Sequence, residues 1–317
     1  LKAALVSCVK RWLDDPQTVV GRALLHPRFL CRLAALAAAG LAVFAVVGGS
    51  IAGEANAAVE IVPHRAIYRL ALGSVRASAS VADVKGRMLF QWGDACEAWT
   101  IEQHFRLDFL YTEGEEVKMT TNFVTWEAKD GSRYRFNVRK TVNGQLDEEV
   151  RGEALRAADG GGAVHFVRPE APEMKLVAGT LFPTRHTLVL LERALAGDRF
   201  VSRSVFDGSD AEGASEISAV IGDRSPLKHG VGQAAANTPS REVLAEDAQR
   251  THHLLGGPAW PIRLAFFSNK SDSGAPDYEM SMLLLRNGVA QSMLIDYGDF
   301  TVNAILETLE PLPRSGC

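Results

Sequence analysis

The sequence predicts an all-β protein, mainly antiparallel, interrupted by helix in one place. Three observations predict it. Apolar and polar residues alternate with period two in segment after segment. Residues that accept positive φ separate those segments at hairpin spacing. One stretch alone switches to helical spacing.

Residues 1–57 precede this pattern and read as an export segment. Six basic residues (Lys2, Lys10, Arg11, Arg22, Arg28, Arg32) stand there against Asp14, Asp15 and Glu54. An uncharged stretch, Leu33–Gly53, follows the last of them, and Ala55-Asn56-Ala57 supplies a small-x-small cleavage site. Basic, apolar and small-residue regions in that order describe a secretory signal peptide, with cleavage expected after Ala57. Retention as an anchor is the competing reading, because 21 uncharged residues just suffice to cross about 30 Å of hydrocarbon. Gly48-Gly49-Ser50 weakens that alternative. The chain opens with Leu, and its first 25 or so residues are surplus to a signal, as if the start were read too early.

The elements of the remaining chain, 58–317, follow in order as one expected domain. Ala66, Tyr68, Leu70 and Leu72 form one apolar row. From Ala98 to Phe109, Trp99, Ile101, Phe105, Leu107 and Phe109 share a face that Gln103 interrupts. Thr100, Glu102, His104, Arg106 and Asp108 take the other, which describes a strand with one wet side. Tyr134, Phe136 and Val138 alternate with Arg133, Arg135, Asn137 and Arg139 in the same way. Lys129-Asp130-Gly131 and Asn143-Gly144 flank that segment as turns.

Helical spacing appears in Thr184–Ala196, where Leu188, Leu191 and Leu195 share a stripe. Pro183 suits its first turn and Gly197 the residue past its end. Residues 222–250 read as a long loop rich in Gly, Ser, Pro, Ala and charge. Trp260, Ile262, Leu264 and Phe266 then form another apolar row, and Asn287-Gly288 joins two apolar runs as a hairpin. Short strands joined this way make a meander, and hence a barrel, a sandwich or an open curled sheet.

Charge and cysteines bound the function. The chain carries 34 basic and 38 acidic residues. Without 1–57, six basic and three acidic residues fewer leave 28 against 35, a net charge of about −7. That composition argues against nucleic acid as a partner. Cys8 and Cys31 leave with the export segment, and Cys96 and Cys317 remain. An even pair in an oxidising compartment suggests a disulfide, with two independent thiols as the alternative.

Sites of chemistry are sparse. No H-E-x-x-H, G-x-S-x-G, Walker or G-x-G-x-x-G frame occurs, and Gly160-Gly161-Gly162 is a turn without a following helix. His252 and His253, as strand neighbours, face opposite sides and cannot easily share a metal. His186 reads as a polar-face residue of the helix, and His64 with Arg65 as a pair holding a strand end. Asp207-Gly208-Ser209-Asp210 with Glu212 reads as a hairpin turn, and Asp296-Tyr297-Gly298-Asp299 as a turn or bulge. Asn269-Lys270-Ser271 matches a glycosylation sequon. Hence no catalytic residue, cofactor or metal is expected. The aromatics are core first, but a curled sheet could leave a cavity lined by Trp99, Phe105, Trp126, Phe136, Trp260 and Phe266.

A series of short motifs resembles the EipB family of periplasmic envelope-integrity proteins of alphaproteobacteria. The series runs His64-Arg65-Ala66-x-Tyr68, Gly93-x-x-Cys96-x-x-Trp99, Phe182-Pro183-x-x-His186 and Phe206-Asp207-Gly208. Trp260-Pro261, Pro276-x-Tyr278-Glu279, Asn287-Gly288-Val289, Asp296-Tyr297-Gly298-Asp299-Phe300, Leu309-Glu310 and Cys317 continue it. No single motif is specific, but their order over 63–317 is. Two local departures are Phe266-Phe267, where a Tyr-Phe pair is expected, and an extended 222–250 loop.

The resemblance implies an open, spiral-like antiparallel sheet, half-barrel-like, with one or two helices on its concave side. It also implies a Cys96–Cys317 disulfide and a role in envelope integrity and stress resistance rather than catalysis. The function expected is a non-enzymatic periplasmic protein working through contacts with envelope proteins, since open sheets leave two exposed edges. The alternative is a carrier or chaperone that takes an acyl chain or lipoprotein on the concave face.

Overall fold

A computed structural model describes residues 59–226, 253–268 and 274–317. The export segment, most of the 222–250 loop, the sequon and His252 lie outside the described residues.

The first half of the chain is a run of hairpins: β1 (His64–Val75), β2 (Val81–Ala95), β3 (Ala98–Tyr111) and β4 (Glu116–Ala128). It continues through β5 (Arg133–Val142), β6 (Gln145–Arg156), β7 (Gly162–Arg168) and β8 (Met174–Leu176). A helix, α1 (Pro183–Leu195), separates these from the second half. That half comprises β9 (Phe200–Val205), β10 (Ser215–Ile221), β11 (Ser225–Pro226) and β12 (Pro258–Phe267). It ends with β13 (Tyr278–Leu285), β14 (Ala290–Asp296) and β15 (Phe300–Pro311).

All strands belong to one sheet that does not close. Its order is β8-β7-β6-β5-β4-β3-β2-β1-β15-β14-β13-β12-β10-β9, with β11 pairing β12 off that path. The first and last strands of the chain are therefore neighbours in mid-sheet. The two edges, β8 and β9, are consecutive in sequence and joined by the segment that carries α1.

Period two sets the register. Even residues of β1, β2, β5 and β12 and odd residues of β3, β4 and β14 face inward. Asn143 and Gly144 take positive φ in the β5–β6 turn, as does Gly288 between β13 and β14. These inward residues and the buried side of α1 form one hydrophobic core. Tyr68, Phe90, Trp92, Tyr134, Phe182 and Phe206 are among its fully buried members.

The helix begins at Pro183 and ends before Gly197, whose φ is +83°. Its buried face includes the expected Leu stripe but is wider. Val189, Leu190, Leu191 and Ala194 are buried, whereas Leu188 and Leu195 are only partly so. The buried arc is wide because the helix lies against the sheet and beside β9. His186, expected on the polar face, is buried for the same reason.

Candidate functional site

Where the two edges approach, the sheet has a seam. After β8 the chain crosses it: Leu181 N–H donates to Ser204 O at 2.9 Å, and Phe206 N–H donates to Leu181 O at 3.0 Å. This is a one-residue parallel bridge between Leu181 and Val205. Arg156 on β6 secures the crossing segment. Its Nη2 donates to Thr180 O at 2.8 Å, its Nε to Gly131 O at 3.0 Å, and its guanidinium lies over the Phe182 ring. Leu155, Leu176, Val177 and Phe182 line a shallow surface depression here that is too tight to hold a water molecule.

Beyond Leu181 the β9 edge is open. Ile221 N–H donates to Arg199 O, so the backbone groups of the odd residues 199–205 face β10, and those of Phe200, Ser202 and Ser204 face away. Ser204 O is used by Leu181, and Ser202 O accepts Arg203 Nη1 at 2.7 Å. The Phe200 N–H and C=O and the Ser202 N–H have no partner among the described residues. Beside them on the outer face, Phe200 is 61% exposed and its cross-strand neighbour Val220 is 55% exposed.

The concave face is occupied. Phe182, the N-cap residue of α1, offers no capping side chain, so the first N–H groups of the helix need an acceptor from elsewhere. Glu127 on β4 supplies it: Oε1 accepts the Arg185 N–H at 2.8 Å, while Oε2 reaches the neighbouring N–H at the helix start. Burial pushes the Glu127 carboxyl up to about 7 against these two bonds and the charge of Arg156, which pull it down. Behind the cap, Phe182 stacks on Tyr134 at 5.0 Å between ring centres.

The β9–β10 loop fills the remainder. Tyr134 Oη donates to Asp207 O at 2.6 Å, and Gly208 lies flat against the Phe136 ring. Asp207 Oδ1 accepts the Ser209 N–H and Asp210 Oδ1 the Glu212 N–H, so the expected turn forms and folds inward. Burial raises the Asp207 carboxyl; burial, followed by the charge of Asp207, raises Asp210 to about 7.

The proposed cavity aromatics separate into three groups. Phe105, Phe136, Trp260 and Phe266 are buried in the core. Trp99 faces inward, half-buried, edge-on to Trp92 with Lys129 Nζ 4.5 Å from its ring centre. Trp126 is a correction: it stands on the outer face under the Arg135 guanidinium. The odd residues of β4 from Val117 to Glu127 take the inward positions, so period two turns Trp126 outward and aims Glu127 at the helix start. His64 and Arg65 are also corrected. His64 is fully buried, with Nδ1 2.7 Å from Val62 O, while Arg65 points outward to Gln91 Oε1 and Glu310, as period two requires.

The disulfide is present between Cys96, in the β2–β3 turn, and Cys317, with Cα atoms 5.9 Å apart. The tail reaches it across the start of β1. Leu312 N–H donates to Pro63 O at 2.9 Å, Arg314 pairs with Glu60 at 2.6 Å, and Ser315 Oγ accepts the Cys96 N–H at 3.2 Å. Among the described residues, no group of three or more His, Cys, Asp or Glu side chains could hold a metal ion. None of their helices is long and apolar enough to cross a membrane.

Sequence reasoning missed Glu127, Arg156 and Leu181, the three residues that build the seam and dock the helix. The period of β4 carried the signal for Glu127, two residues past Thr125 on the inward row.

The model of the family described as EipB-like matches residues 55–313. The chain belongs to the EipB-like family. Its sequence is 32% identical over 279 residues to the cell envelope integrity protein EipB of Brucella abortus, covering 87% of this chain and 93% of that one. A crystal structure from Brucella abortus, described as a β-barrel-like protein of a domain of unknown function, superposes with a TM-score of 0.70 at 30% identity. That match covers 81% of this EipB-like chain and all of the other. The open sheet and its family thus agree with the resemblance read from the ordered motifs.

Proposed function

We propose that this EipB-like protein supports cell-envelope integrity in the periplasm by receiving an extended segment of a partner protein at the free edge of β9, without catalysing a reaction. The envelope role extends to this chain what its Brucella relative is named for. The open stretch of β9 carries the rest of the reading. Unpaired N–H and C=O groups on an edge strand are a template for one more strand. Phe200 and Val220 give that strand an apolar surface to cover. The acyl-carrier alternative draws no support from a concave face filled by α1, Phe182, Phe206 and the Asp207 loop.

Ser202→Pro tests this. It removes the outward-facing N–H at an edge position, where proline is tolerated, and leaves the β10 ladder intact. In a strain lacking the native gene, the variant is expected to accumulate with its disulfide formed yet fail to restore growth in detergent. Full restoration by Ser202→Pro overturns the edge reading.

A further inference from the structure

The outer face of the sheet handles its cations in two different ways. Between β5 and β6 two are matched with acids, the register placing Arg135 opposite Glu153 and Arg139 opposite Glu149, while Arg151 of β6 lies opposite Asn137 and, as an isolated like-charged pair, Arg168 of β7. One row across β2, β3 and β4 alternates in sign, Lys85 opposite Asp108 opposite Lys118. The adjacent row does not. Arg69 on β1 lies opposite Arg87 on β2, and Arg87 lies opposite Arg106 on β3.

Like charges directly opposite each other on one face destabilise a sheet, so nothing in folding favours this row. Its neutralisation is incomplete. Glu307 on β15 is shared, 3.4 Å from Arg69 Nε and 3.3 Å from Arg87 Nη2. Among the described residues Arg106 has only Asp108, 4.0 Å away and beyond hydrogen-bond reach. The side chains of Arg87 and Arg106 are 73% and 70% exposed.

With strands about 4.8 Å apart, the three guanidinium stems span about 10 Å of an outward surface rather than a cleft. Ile67 and Leu89, half-buried and opposite each other, form the next row on that face. Three cations beside an aliphatic pair, on an exposed sheet face, fit a surface of phosphates over hydrocarbon. A single enclosed ion would need converging donors in a pocket.

We propose that the Arg69–Arg87–Arg106 row is a docking strip for the phosphate headgroups of an anionic membrane. It would hold the protein against a leaflet by its outer face and leave the β9 edge available. The inference does not rest on the strand-addition reading.

Flotation with vesicles tests it, using protein purified from cells expressing the full chain. Parent protein is expected to bind phosphatidylglycerol–phosphatidylcholine vesicles in low salt, to release as salt rises, and not to bind phosphatidylcholine vesicles. Each cation near an anionic surface strengthens binding roughly fivefold, so Arg87→Gln with Arg106→Gln weakens it roughly 25-fold. Glu307→Gln, which frees Arg69 and Arg87, strengthens it, so the test survives if the double variant folds poorly. Equal binding to both vesicle types, or variants that bind like the parent, overturn the proposal. So does a rise in melting temperature with inorganic phosphate without vesicle binding, which would assign the row to a soluble anion.

Discussion

Glu127 and Thr184 join the sheet to its helix: the carboxylate Oε2 on β4 accepts the Thr184 backbone N–H at 2.7 Å. An acid held in the core at a helix start makes the fold sensitive to pH in a calculable direction. The folded carboxyl titrates at about 7 against 4.5 for the ordinary group. The folded state therefore holds its proton more tightly than the unfolded one. The associated stability is complete below about pH 4.5 and is lost as pH rises through about 7. A shift of this size corresponds to about 3 kcal/mol. Urea unfolding between pH 5 and 8 should show stability falling over that window, and Glu127→Gln should remove part of the slope. A parent whose stability rises across the window contradicts this.

Asp210→Asn should stabilise the protein above neutral pH. Its carboxyl is raised to about 7, first by burial and then by the charge of Asp207, so ionising it in the folded state costs free energy. The amide keeps the Oδ1 acceptor that the Glu212 N–H uses. The rise from 3.8 to about 7 sets a ceiling of about 4 kcal/mol on the gain at pH 8, which shrinks to nothing as pH falls below about 4, as read by chemical denaturation. A loss at pH 8 would show that the ionised carboxylate is needed.

Cys317→Ser should lower the melting temperature and release the C-terminal tail. The bond spans 221 residues, and the chain-entropy account of so long a loop gives about 5 kcal/mol at most. Proteolysis after Leu312 should become fast in the variant, because the last residues would then be held only by Arg314 and Ser315. Unchanged melting and unchanged proteolysis would sink the strap role.

Gly208→Ala should destabilise by about 2–4 kcal/mol. Gly208 has φ +67°, and a Cβ there would meet the Phe136 ring at 2.4 Å. Phe136→Ala opens space beneath the loop, so the penalty for Gly208→Ala should shrink in that background. A double-mutant cycle in urea reads the coupling; additive costs would mean that the ring does not set the loop's position.

The fold was legible wherever alternation was clean. Tyr134, Phe136 and Val138 face the core and Arg133, Arg135 and Arg139 face out, as their spacing predicts. Alternation fails as a guide where tertiary packing reassigns a face. Leu188, Leu191 and Leu195 are the obvious helix stripe, but a helix enclosed by a curled sheet buries Val189 and Leu190 as well, more deeply than Leu188 and Leu195. Trp126 invites an inward placement by its chemistry, but the period of β4 puts its odd residues inward, so Glu127 rather than Trp126 meets the uncapped start of α1. The seam was not legible at all, because hairpin signals report neighbours in sequence. That β1 lies beside β15, and that Leu181 bridges to Val205, are long-range facts that only the Cys96–Cys317 pair hinted at.

Because β1 pairs with β15, the middle of the sheet cannot be knitted until the final residues of the chain are available. A polypeptide emerging amino end first must hold β1 with one flank bare while the other strands arrive. The consequence is late assembly: truncated products are left as two ribbons with exposed central flanks, open to self-association. Cells making this protein therefore need its carboxyl end delivered before the molecule is safe from aggregation.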